Sequence, residues 1–137
     1  MLRMGVKKGV SVRQVAQLKQ FERILIDSRR LDGLFCRLGH RRAEAYVSRR
    51  VVEMTDLLAQ IEERYRSGLH HAITDEARRV SQMAADIGLT SLARVARDLG
   101  ISAQRDDTVA LGAVWARLVR IGNRSLTQVW EQPGMSL

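Results

Sequence analysis

The chain has 137 residues, 45% of them hydrophobic and 28% charged, with a formal net charge of +8 at pH 7. That length and balance suit one globular domain with a core of its own, and no run approaches the ~20 apolar residues of a membrane span. A single cysteine excludes an internal disulfide, no metal-type Cys/His spacing occurs, and no cofactor motif is present. Aromatic residues make up only 4%, and the one proline, Pro133, stands almost at the end. A chain rich in alanine, leucine, arginine and valine with no earlier proline is expected to be all-α.

Residues 1–26 read as a basic tail with Gly5, Lys7, Lys8 and Gly9, followed by a short helix on which Val12, Val15, Leu18, Ile24 and Leu25 share a face. No apolar stretch follows the basic residues of Met1 to Val12, so no signal peptide is expected and the location read from the sequence is cytoplasmic. An extended ILID segment ends at Asp27, and Asp27 or Ser28 caps a short helix, SRRLDGLFCRLG, that Gly39 terminates. Leu31, Leu34, Phe35 and Leu38 form its apolar side. Cys36 reads as a packed small side chain, not a nucleophile.

The longest periodic run lies between Arg41 and Arg66. Val47, Val51, Met54, Leu58, Ile61 and Tyr65 recur at alternating steps of four and three, the seam of a long bundle helix. Arg49, Arg50, Glu53, Asp56, Glu62 and Glu63 fall off that seam and are expected to face water. Ser67-Gly68 closes the helix.

A third helix is expected from about Leu69 to Ile87, with Ala77, Val80, Ala84 and Ile87 inward. Gly88 stops it, and Thr90 or Ser91 is the expected N-cap of a fourth helix to about Ser102, with Leu92, Val95, Ala96 and Leu99 inward. Asp106 or Asp107 caps the last helix, which carries Leu111, Val114, Trp115, Leu118, Ile121 and Leu126 to about Trp130. Gly122 is expected to weaken its middle by roughly 1 kcal/mol relative to alanine if exposed. Trp115 and Trp130 read as packing residues, and residues 132–137 as a tail. The expected architecture is an up-and-down antiparallel four-helix bundle over residues 27–131, preceded by short helices.

With the helices placed, residues 27–130 resemble a histidine phosphotransfer (HPt) domain, the four-helix carrier module of bacterial two-component phosphorelays. ARRVSQMAADIGLTSLARVARDL is similar to the segment that marks that family, a histidine helix ending in a glycine-leucine break before another amphipathic helix. In the family pattern the phosphoacceptor stands ten residues before the break glycine, within His-x-x-Lys-Gly. Aligned on Gly88, Arg78 takes the histidine position, Ser81 the lysine position and Gln82 the glycine position. An arginine stays protonated and cannot attack an aspartyl phosphate, so no catalytic residue carries over and no enzymatic activity is expected.

The resemblance implies a pseudo-HPt signalling protein that binds a response-regulator receiver domain or a histidine-kinase module without carrying phosphate. Arg78, Arg79, Ser81 and Gln82 are the expected partner-binding face. Two alternatives stand beside it. His71, seven residues before Arg78, is a candidate displaced phosphoacceptor; His40 and His70 read as surface residues. The +8 charge and basic tail would also suit a nucleic-acid-associated or scaffold bundle. Periodicity does not distinguish a monomer from a homodimer.

Overall fold

The structure, a computed structural model, describes residues 23–135. The expected tail and the Val12–Leu18 part of the first short helix lie outside the described residues, as do the last two residues of the C-terminal tail. Five α-helices are present, and no strand occurs among the described residues. They are α1 (Ser28–Leu38), α2 (His40–Arg66), α3 (Ile73–Asp86), α4 (Thr90–Gln104) and α5 (Thr108–Gln128).

The boundaries follow from local chemistry. Asp27, in extended backbone, caps α1 by accepting from the Arg29 and Arg30 N–H groups. Gly39, at φ +81°, ends α1 by donating to the Phe35 carbonyl, and α2 begins at the next residue. Asp107 caps α5 by accepting from the Ala110 N–H at 3.0 Å. Helix α3 starts later than its periodicity suggests. A 3₁₀ turn, His70–Ala72, precedes it, and α3 carries no side-chain cap, only Asp75 and Glu76 in its first turn.

The inward residues of α3 and α4 are those the spacing indicates: Ala77, Val80, Ala84, Ile87, Leu92, Val95, Ala96 and Leu99 are all buried. On α2, Val47, Met54 and Ile61 are buried with Ala43 and Leu57, whereas Val51, Leu58 and Tyr65 are half-buried. The difference arises on the side facing α5. There the two helices leave an open groove of about 320 Å³ lined by Leu58, Ala59, Trp115 and Val119, among others.

Helix α3 packs on α2 and α4, α4 packs on α5, and α1 packs on α2. The Tyr65 ring stacks on Trp115 at 5.7 Å and so links α2 to α5. One hydrophobic core runs through all five helices, and Phe35, Trp115 and Trp130 pack against it partly buried.

Cys36 is exposed. It follows Phe35 on α1, about 100° round the helix, which takes it past the edge of the buried Leu31–Leu34 stripe. Arg50 is half-buried instead of facing water, because α1 and the end of α3 close over its side of α2. Gly122 is buried, with Leu58 and Leu92 beside it.

The connection from α3 to α4 joins most of these parts. Gly88 has φ +84°, Leu89 donates to the Ala84 carbonyl at 2.8 Å, and Leu89, fully buried, takes the N-cap position of α4. Neither Thr90 nor Ser91 caps α4. The extended segment of residues 23–27 lies across this turn: Asp27 donates to the Gly88 carbonyl at 2.7 Å and Ser91 donates to the Leu25 carbonyl at 3.3 Å. The Ser91 hydroxyl is taken by the Leu25 N–H at 2.8 Å.

A Cβ at Gly88 would stand 2.6 Å from the Asp27 carbonyl oxygen, whereas one at Gly122 would meet only Leu58 and Leu92 side chains, at 3.6 and 3.8 Å. Gly88→Ala is therefore expected to lower unfolding free energy by roughly 2 kcal/mol or more, through strained backbone and a displaced N-terminal segment. Gly122→Ala is expected to raise it by about 0.4–1 kcal/mol, since the helix loses unfolded-state freedom without a clash. Urea unfolding of the two variants measures both.

Candidate functional site

Helix α3 presents its outer face beside α4. Ala77, Val80 and Ala84 point into the core, so the residues between them turn outward. Arg78, Arg79 and Gln82 are exposed. The Arg78 guanidinium donates to Asp75, one turn earlier, at 2.8 Å, and 60% of the Arg78 side chain remains open to solvent.

Ser81 is different. It is half-buried, and its hydroxyl donates to the Ala93 carbonyl of α4 at 2.8 Å. That bond joins the two helices and engages the hydroxyl proton. Among the described residues no histidine or carboxylate lies in hydrogen-bond contact with Ser81.

Between α3 and α4 runs a groove of about 360 Å³ lined by Arg78, Ser81, Gln82, Arg97, Ile101 and Gln104, with Thr74 and Gly100 completing the wall. It continues toward the Gly88 turn as a second hollow of about 390 Å³, which shares Ser81 and Arg97 and adds Arg94. The sequence-predicted residues Arg78, Ser81 and Gln82 therefore meet at one groove, while Arg79 lies outside its lining. Arg94 and Arg97 were not among the expected site residues. Their signal was present: they stand three apart on α4 and flank the inward pair Val95 and Ala96.

The lower end of α3 is held by charge. Asp86 accepts from the Tyr46 hydroxyl, and Arg30 donates to both the Asp86 carbonyl, at 3.1 Å, and its carboxylate, at 3.5 Å. Arg50 approaches the same carboxylate at 3.9 Å and lies over the Tyr46 ring, 4.9 Å from its centre. The Tyr46 hydroxyl, and then the Glu53 carboxylate, hold the Arg50 guanidinium above its ordinary pKa. At the other end, buried Glu76 accepts twice from Arg64 Nε at 2.7 Å, and this contact raises the Arg64 pKa. Both arginines are fixed cations that brace α3 against α2.

The histidines stand away from this groove. His40 lies at the start of α2, 3.7 Å from Glu44 and against the Phe35 ring. His70 stacks on Tyr65 at 5.8 Å. His71 is exposed on the 3₁₀ turn; α3 begins only at Ile73, so His71 does not share a continuous helix with Arg78. Among the described residues no group of three or more His, Cys, Asp or Glu side chains is placed to hold a metal ion.

The groove thus presents guanidinium and amide donors with a satisfied serine between them. Such a surface offers positive charge and hydrogen-bond donors side by side. Ser81→Ala is expected to cost about 1 kcal/mol of unfolding free energy by loss of one interhelical hydrogen bond, read by urea denaturation. Compared with protein-family models, with curated proteins and with solved structures, the chain matches none.

Proposed function

We propose that this chain is a pseudo-HPt signalling protein. In this reading α2–α5 form an up-and-down antiparallel four-helix bundle of the HPt kind. The bundle binds a receiver domain or a histidine-kinase module of a phosphorelay and carries no phosphate itself.

The observation that carries the reading is the exposed face of α3 ahead of the Gly88 break. The position ten residues before the break, where the resemblance would put a phosphoacceptor, is solvent-facing and beside a groove, as docking requires, and it holds Arg78. A guanidinium stays charged at every physiological pH and can pair bidentately with a carboxylate or phosphate. It cannot be phosphorylated in the manner of an imidazole. Receiver domains, in turn, carry a cluster of carboxylates around their phosphorylatable aspartate, which gives the arginine face an acidic counterpart.

The test mixes the protein with a panel of phosphorylated receiver domains from its own cell and follows acid-labile label and complex formation in parallel. Complex without label is the expected result. Arg78→Glu should then weaken the complex about tenfold or more, equivalent to about 1.4 kcal/mol. Label on the protein that His71→Ala removes would overturn the binding-only reading. Binding that Arg78→Glu leaves unchanged would remove the face from it.

A further inference from the structure

The α3–α4 groove has a charge imbalance that its surroundings do not correct. Arg78 reaches it from α3 and Arg97 from α4, and Arg94 lines the second hollow together with Arg97 and Asp27. The nearby acids are engaged elsewhere: Asp98 pairs with Arg117 at 3.9 Å, Asp86 is held by Arg30 and Tyr46, Glu76 by Arg64, and Asp27 caps α1. Only Asp75 answers the three arginines, and it does so for Arg78 alone. Among the described residues Arg94 and Arg97 have no ion-pair partner.

The Asp75 carboxylate is 78% exposed, so its pair with Arg78 is a solvated one that contributes little and is readily exchanged. Guanidinium groups from two helices, with the Gln82 and Gln104 amides beside them, suit a compact group with several acceptor oxygens and close to two negative charges. A single carboxylate would use only one of these forks. A phosphoryl group on an acidic protein surface would use both.

Resting on the reading proposed above, we infer that this groove senses the phosphorylation state of its partner: Arg78 and Arg97 grip the phosphoryl group on the receiver's aspartate, and the protein binds the phosphorylated receiver in preference to the unphosphorylated one. Asp75 holds Arg78 in place until the dianion displaces it. The device is a reader of the phosphoryl group and transfers nothing.

The experiment uses the full chain and a receiver that binds it, with and without beryllofluoride, which on the receiver aspartate stands in for the aspartyl phosphate. Affinities are read by calorimetry. The beryllofluoride form is expected to bind about tenfold tighter, as new charge-assisted hydrogen bonds would give. Arg97→Lys and Arg78→Lys are expected to reduce that preference severalfold, since lysine keeps the charge and loses the fork. Asp75→Asn, by freeing Arg78, should increase the preference. All three positions are exposed, and thermal unfolding of each variant confirms that the fold is intact.

Equal affinity for the two receiver states would overturn this inference and leave the proposed function standing. A preference that survives both arginine substitutions would overturn the assignment to this groove. Failure of every receiver to bind in either state would overturn the inference together with the function on which it rests.

Discussion

The structure depends on how closely residues 23–27 approach the Gly88 turn. Three hydrogen bonds cross between them, and the Asp27 carbonyl lies where any side chain at Gly88 would have to start. Only a residue without a Cβ allows both the positive φ and that distance. The contact sets the start of α1, because the residue that donates to Gly88 is also the N-cap of that helix. Through α1 it sets the approach of Arg30 to Asp86, and thereby one end of α3. A turn that looks like a local helix stop is in effect the junction of the N-terminal segment with α3 and α4.

The distribution of charge follows from the same packing. An aspartate at the C-terminal end of a helix meets an unfavourable dipole, and Asp86 sits in that position on α3. Arg30, Arg50 and Tyr46 offset this from two neighbouring helices. Glu76, buried in the first turn, meets the favourable end of the dipole and takes Arg64 as its partner. The carboxylates of α3 that lie near its neighbours are therefore spent on holding the helix. What remains charged on its outer face is Asp75 with Arg78 and Arg79, which leaves that face net positive.

Much of this architecture was legible because it is local. Periodicity placed Ala77, Val80, Ala84 and Ile87 inside and Arg78, Arg79 and Gln82 outside, since a helix assigns faces by spacing alone. Asp27, Gly39, Gly88 and Asp107 announce their turns through cap and φ chemistry that involves only near neighbours. Apart from Cys36 and the late start of α3, the misreadings involve distant partners. Ser91 resembles an N-cap, yet a backbone group 66 residues away takes its hydroxyl. Arg50 lies off the α2 seam, and only the arrival of Asp86 and the ring of Tyr46 half-buries it. Ser81 is periodic with the exposed face, but its bond to Ala93 exists because α3 and α4 cross closely there. Arg94 and Arg97 were visible as outward residues of α4, and only the meeting of the two helices makes them part of a groove with Arg78.

The engagement of Ser81 bears on what the face can do. The short Ser81 side chain turns back and joins the two helices, so this position adds rigidity and no free donor to the groove. Gln82, exposed beside it, lines the same groove. Around it Arg78, Arg94 and Arg97 are exposed. Their charges act over about a Debye length, some 8 Å at physiological salt. Helices joined by the Ser81 bond beneath and guanidinium groups above therefore gather positive charge at one place on the surface.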